Sequence, residues 1–242
     1  MISLVIPVYN EEKIIRDTVQ IIKNFMDNNF NNYEIIFVND GSKDNTLKII
    51  SELADDKIKI ITYEKNKGKG GAVKTGMLAA EGDLIFFTDC DLAYGLDVVK
   101  QGYEILEENK EADIIIGSRR KHKDGYASYT LLRKIMSVVF YYVLKIYVGI
   151  KQSDSQSGIK GFRKEAAKKI FNLCEADRWV FDVEILLIAD KLGYKIEEMP
   201  VTIINHRESK VNPVKDSIRA LKEVARIKKR VKKLGKNTRH AE

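Results

Sequence analysis

The chain reads as an α/β protein with a mostly parallel sheet flanked by helices, and three observations lead there. Short β-branched runs alternate with longer amphipathic ones, the residues directly after the strand-like runs are unusually polar, and no repeat, low-complexity tract or linker rich in Pro and Gly breaks the pattern. The strand-like runs are Ser3 to Val8, Glu34 to Asn39, Ile58 to Tyr63, Leu84 to Thr88 and Asp113 to Ser118. After the first, Glu11 to Met26 sets Ile14, Ile15, Thr18, Val19, Ile22 and Met26 at helical spacing, and Asp44 can cap a helix running to about Leu53. A third helical run spans Ala72 to Ala80. The second half predicts a helix over Thr130 to Val148, a polar loop Lys151 to Ser157, a turn at Gly158 to Gly161, helices from about Lys164 and through Val183 to Leu192, and a strand near Lys195 to Ile204. One domain over residues 1–212, followed by a basic helix and tail over 213–242, accounts for the whole.

Composition narrows the class. Hydrophobic residues at 44% and charged residues at 32% are those of a folding globular chain. The formal charge of +7 is concentrated late, where Arg219 to Arg239 holds ten Lys and Arg against Glu223. Such a segment suits an anionic lipid surface, nucleic-acid phosphates or simply a solvated helix end. It lacks interleaved aromatics and any nucleic-acid-binding motif, so no nucleic-acid partner is expected. Cys90 and Cys174 stand far apart without companions at metal spacing, which predicts neither a disulfide framework nor a zinc site and fits a reducing compartment. Met1 runs straight into a strand-like segment, so no export signal is expected. The longest apolar run, Ile135 to Leu144, is about half the roughly 20 residues a spanning helix needs.

In parallel α/β sheets ligands bind beyond the carboxyl ends of the strands. The Asp89-Cys90-Asp91 motif after the fourth strand carries the strongest signal. Residues two apart on an extended chain share a side, two carboxylates so placed repel unless a cation lies between them, and hard oxygen ligands favour Mg²⁺ or Mn²⁺. A plain acidic turn is the competing reading. Asp40-Gly41-Ser42 sets an acid where such folds read a ribose or base, although Asp-Gly also forms ordinary turns. The loop Asn66-Lys67-Gly68-Lys69-Gly70-Gly71 precedes a helix, whose N-terminus attracts anions. It matches neither the Walker loop nor the dinucleotide fingerprint, which disfavours kinases and dehydrogenases.

Taken in order and spacing, these segments resemble the GT-A fold glycosyltransferases of family 2, and within them the dolichyl-phosphate mannosyltransferase and dolichyl-phosphate glucosyltransferase group. The resemblance runs to about Lys210. It rests on Ile6-Pro7-Val8-Tyr9-Asn10-Glu11, Val38 to Asp44, Asn66 to Gly70, Asp89-Cys90-Asp91, Gly117-Ser118-Arg119, Asp154 to Arg163, Phe181 to Ile185 and Arg207-Glu208-Ser209-Lys210. It implies a metal-dependent hexosyltransferase in which Pro7, Tyr9, Glu11 and Asp40 hold the nucleoside and Lys69 also contacts the donor. Asp89 then lies near ribose and metal, Asp91 ligates the metal, and Arg119, Arg133, Arg207 and Lys210 serve as phosphate ligands. Asp154 and Gln156 are candidates for sugar or acceptor contacts. Asp89, Asp91 and Arg119 form the implied catalytic set.

The implied reaction moves glucose or mannose from UDP-glucose or GDP-mannose to a polyprenyl phosphate, dolichyl or undecaprenyl, with inversion. Two departures from the pattern matter. Leu92 is followed by Ala93, where the similar mannosyltransferases carry a Leu-Gln pair that adds a metal ligand, so a third protein ligand is not secured. The Gln156 to Lys160 segment looks more like the glucosyltransferase branch. The alternative within the family is an acceptor that is a soluble or cell-surface glycan, which requires a general base.

A polyprenyl acceptor demands access to a bilayer. The helix from Leu131 to Val148 combines Leu131, Ile135, Val139, Tyr142, Ile146 and Tyr147 with flanking Arg133, Lys134 and Lys145, the composition of an in-plane interfacial helix and equally of a core helix. Peripheral association with the cytoplasmic face of a membrane is expected, through the basic tail or a separate membrane subunit.

Overall fold

The computed structural model describes residues 1–127, 129–178, 180–205 and 213–234, with backbone alone for residues 132, 133 and 213–221. Among them, seven strands make one sheet in the order β3-β2-β1-β4-β6-β5-β7. The strands are β1 (Ile2–Val8), β2 (Tyr33–Asn39), β3 (Ile58–Thr62), β4 (Leu84–Phe87), β5 (Ile114–Ser118), β6 (Lys160–Arg163) and β7 (Ile196–Pro200). The helices are α1 (Ile15–Asn29), α2 (Thr46–Leu53), α3 (Lys69–Ala79), α4 (Asp97–Glu108), α5 (Leu131–Val143), α6 (Lys164–Leu173), α7 (Phe181–Leu192) and α8 (Pro213–Lys233). A short 3₁₀ turn at Arg119–Lys121 follows β5, and a π-helical turn at Leu144–Val148 extends α5.

Each central strand is buried on both faces, which is why these segments read as nearly continuous apolar runs. Alternate residues feed two cores. Leu4, Ile6, Phe37 and Phe86 meet α1 and α4 on one side, while Val5, Val38, Ile85 and Phe87 meet α3, α6 and α7 on the other. Along α1, Ile15, Val19, Ile22 and Met26 form the buried stripe that their spacing calls for. Full burial of such a side chain is worth roughly 1.5–3 kcal/mol, so this stripe suffices to hold the helix on the sheet.

The sheet departs from the expected pattern at β6. This strand lies antiparallel between β4 and β5, pairing Phe86 with Gly161 and Ile115 with Gly161 on its two sides. Its Lys-Gly-Phe-Arg composition and the nearby glycines read locally as a turn, and only the two flanking strands make it a strand. The helix α3 begins at Lys69, three residues before the apolar run that marks it in the sequence. The basic helix α8 is seated rather than free: Val224, Ile227 and Val231 are buried in the core beside α7.

The order 3-2-1-4 sends the chain to one side of β1 for β2 and β3 and to the other for β4. The switch point between β1 and β4 opens a crevice at their carboxyl ends, the position where open α/β sheets bind ligands.

Candidate active site

That crevice is a cleft of about 340 Å³ lined by Pro7, Val8, Tyr9 and Glu11 from the end of β1, Asp40 after β2, Asn66, Gly68, Lys69 and Ala72 at the start of α3, and Asp89, Cys90 and Asp91 after β4. Seven residues singled out in the sequence, Pro7, Tyr9, Glu11, Asp40, Lys69, Asp89 and Asp91, therefore share one wall. The loops after β1 and β2 are laced together beneath it. The Asn10 amide donates to Ser42 Oγ (3.0 Å), the Lys43 amide to Asn10 Oδ1 (2.8 Å), and the Glu11 amide to Thr46 Oγ1 (2.8 Å). Tyr9 stays exposed at the rim.

Asp40 has a duty the sequence does not disclose. It is buried, and its two carboxylate oxygens accept from the Lys67 amide (2.8 Å) and the Gly68 amide (2.9 Å), while Asn66 Nδ2 donates to its carbonyl at 2.9 Å. The acid thus shapes the glycine loop. Gly68 sits at φ +91°, where a Cβ would also stand 2.6 Å from Asp177 O, so no other residue fits this bend. Backbone amides at this helix end are partly spent, since Gly68 donates to Asp40 and the Gly71 amide to Asp177 O (3.1 Å). The positive charge facing the cleft comes instead from the Lys69 ammonium.

Lys69 Nζ lies 2.5 Å from Asp89 Oδ1. Burial works to discharge this ammonium, but Asp89, Asp182 and Asp91 outweigh it and hold its pKa above the ordinary lysine value. Asp89 and Asp91 do not lie on an extended strand as expected. The Leu92 amide donates to Asp89 O at 3.0 Å, so the pair sits in a β-turn, and Leu92 adopts φ +50°. Asp91 Oδ1 accepts from the Ala93 amide (3.1 Å), and Thr18 Oγ1 donates to Cys90 O (3.1 Å), which pins the turn to α1.

Arg119 and Asp154 stand outside the cleft's lining, bound to each other. Arg119 Nε and one terminal nitrogen reach the two Asp154 oxygens at 2.6 and 2.7 Å, its amide donates to the same carboxylate (3.1 Å), and its other terminal nitrogen donates to the Tyr129 hydroxyl at 2.6 Å. Both side chains are buried. Burial alone would raise the Asp154 pKa, yet the adjacent guanidinium carries it below the ordinary carboxylate value. Gln156 follows in a tight turn, its amide donating to Asp154 Oδ1 at 3.2 Å. Two residues on, Gly158 passes so close to Asp89 that a Cβ there would lie 2.1 Å from Oδ2. The segment from Asp154 to Gly158 therefore joins the Arg119 pair to the acidic turn. The side chain of Arg133, and Arg207 and Lys210 entirely, lie outside the described residues.

Beneath Lys69 lies a pair to which the sequence reading assigned no role. Lys160 is fully buried, and its Nζ donates to Asp182 Oδ1 (2.6 Å) and Ser157 O (2.8 Å). No local signal marks it, since Lys160 opens a strand whose Lys-Gly-Phe-Arg composition reads as a turn. Burial pushes the Asp182 carboxyl up, and its Lys160 and Lys69 neighbours do not fully reverse this.

Residues 3–171 match Glycosyl transferase family 2. The chain belongs to that family. This family 2 glycosyltransferase is 34% identical over 94% of its length to a dolichyl-phosphate beta-glucosyltransferase of Dictyostelium discoideum, of which it spans 73%. It is 33% identical over 84% of its length to a UDP-N-acetylglucosamine–dolichyl-phosphate N-acetylglucosaminyltransferase of Methanococcus voltae, of which it spans 86%. Across such curated relatives the covered share runs from 62% to 86%. Its fold is shared with the glucosyl-3-phosphoglycerate synthase of Mycobacterium tuberculosis in complex with Mn²⁺ and UDP-glucose, at a TM-score of 0.67 and 20% identity, covering 96% of this chain and 79% of that one. The GT-A assignment from the sequence holds.

The two carboxylates of the acidic turn offer oxygen donors, the kind that suits Mg²⁺ or Mn²⁺, and a lysine cation already rests against one of them. Among the described residues no group of three or more His, Cys, Asp or Glu could hold a metal ion. An ion bound here would complete its shell from substrate phosphates and water.

Proposed function

We propose that the chain is an inverting glycosyltransferase that moves a hexose, glucose ahead of mannose, from a nucleotide diphosphate donor to a polyprenyl phosphate at the cytoplasmic face of a membrane. The observation that carries this reading is the single cleft in which Tyr9, Asp40, Lys69, Asp89 and Asp91 converge at the β1/β4 switch point. The relatives named for dolichyl-phosphate transfer support the acceptor; the beta-glucosyltransferase name of the Dictyostelium relative supports glucose, and the UDP-N-acetylglucosamine name of the Methanococcus relative supports a UDP-linked donor.

Pro7, Tyr9, Glu11 and Asp40 hold the nucleoside, with Tyr9 presenting an exposed ring to the base. Asp89 and Asp91 would hold Mg²⁺ or Mn²⁺, which when bound neutralises charge on the departing diphosphate. Lys69 adds a protein cation on the same side. Arg119, oriented by Asp154 and Tyr129, supplies positive charge at the end of β5, with Arg133, Arg207 and Lys210 as further phosphate ligands. A phosphate monoester has its second pKa near about 6, so the acceptor is already largely a dianion at neutral pH and attacks without a general base.

The surface fits a lipid acceptor. Leu131, Ile135, Val138, Tyr142 and Ile146 follow one face of α5 and its π-helical extension, all exposed, with Leu131 at 75% and Ile146 at 82%. The opposite side buries Leu144 and Val148 in the core. An apolar row of this kind, with Lys134 and Lys145 beside it and α8 Lys228 over the Tyr147 ring, has the make-up of an interfacial helix rather than a core one. Among the described residues no helix is long and apolar enough to cross a membrane.

The test is transfer itself. Purified chain with Mn²⁺ or Mg²⁺, offered UDP-glucose and GDP-mannose with polyprenyl phosphate, is expected to give a β-linked lipid product, and Asp91→Ala to abolish it while melting normally. Retained anomeric configuration, or full activity in the variant, refutes the reading.

A further inference from the structure

Asp89 offers its two carboxylate oxygens unequally. Oδ2 lies close over Gly158, so that even a Cβ there would stand at 2.1 Å, whereas Oδ1 carries Lys69 Nζ at 2.5 Å, and both Asp89 and Lys69 line the cleft. The oxygen that is not set against Gly158 is thus the one that lysine already holds. The backbone of Lys69 is fixed: Gly68 is locked at φ +91°, and the next turn presses Gly70 so near the 176–177 segment that a Cβ would stand 2.4 Å from Ala176 O. Only the flexible side chain, running past the Phe181 ring at 6.0 Å, is able to carry the charge elsewhere. Two cations sharing one carboxylate oxygen repel strongly in a partly desolvated cleft.

We propose that Lys69 and a divalent cation compete for Asp89 Oδ1, and that a nucleoside diphosphate resolves the competition by drawing the Lys69 ammonium onto its own phosphates. Lys69 is then a positioning residue that makes cation binding conditional on nucleotide. Cation and nucleotide arrive as a linked pair, and the metal site stays weak when the donor is absent. The inference rests on the donor-site reading above and goes beyond it in assigning Lys69 a role opposed to metal binding. Linkage requires the coupling to be reciprocal, so UDP tightens Mn²⁺ by the same factor as Mn²⁺ tightens UDP.

The experiment compares the full chain with its Lys69→Met variant, which keeps length and removes charge. Mn²⁺ binding is titrated by electron paramagnetic resonance without nucleotide and with saturating UDP, and thermal melting confirms folding. In the variant, Mn²⁺ affinity without nucleotide is expected to rise about tenfold and the gain on adding UDP to shrink by a similar factor. Unchanged or weaker Mn²⁺ binding without nucleotide overturns the proposal, since a lysine that serves only as a phosphate ligand or packing element gives that result. If the unsubstituted chain binds no Mn²⁺ even with UDP, the donor-site reading itself falls and takes this inference with it.

Discussion

Gly158→Ala separates function from stability. The substitution is permitted by the backbone, because Gly158 is not among the residues with positive φ. It fails on space, since the new methyl would stand 2.1 Å from Asp89 Oδ2 and 3.0 Å from Asp89 Cγ. An ordinary C···O contact is roughly 3.3 Å, so the carboxylate must retreat by about 1 Å. The displaced group is the end of a flexible, half-buried side chain rather than backbone, which keeps the stability cost near the low end of overpacking, about 1 kcal/mol. Catalysis is less forgiving, because a shift of about 1 Å in a reacting constellation costs on the order of a hundredfold. Steady-state transfer should therefore fall about a hundredfold in kcat/KM, with a melting temperature only a few degrees lower. Full activity in a variant that melts normally would show that Asp89 has no exacting position and refute the reasoning.

Three further outcomes follow from the structure. Asp154→Ala leaves the Arg119 guanidinium buried without its partner and should cost about 3–5 kcal/mol in denaturant melts. Because the folded-state pKa of Asp154 is depressed, its contribution is complete above the unfolded value of about 3.9 and fades as pH falls through the lower folded value; Asp154→Asn should flatten the acid limb of a melting-against-pH curve, and an unchanged limb would deny the pair this role. The double change Ile135→Glu with Ile146→Glu touches side chains 52% and 82% exposed, so folding should be untouched while sedimentation with anionic vesicles drops at least tenfold; equal binding would remove α5 from the membrane surface.

The helices were legible because their cores lie along one face, as with Ile15, Val19, Ile22 and Met26, and period is a local property. The strand β6 was not legible, because nothing within Lys160 to Arg163 predicts pairing with β4 and β5 on both sides. At the site, Asp89 and Asp91 were visible as neighbours in sequence, although a β-turn rather than strand alternation brings them together. The pairings Lys69 with Asp89, Arg119 with Asp154 and Lys160 with Asp182 join residues about 20 to 35 positions apart and leave no mark on local composition. The tertiary fold alone turns separate charged residues into partners.

Crystals grown with UDP and Mn²⁺ and measured near the manganese edge address the central claim most directly. The account expects one anomalous peak in the β1/β4 cleft, at about 2.0–2.3 Å from carboxylate oxygens of Asp89 and Asp91 and beside the UDP phosphates. UDP bound there without manganese, or manganese bound away from both carboxylates, would contradict it.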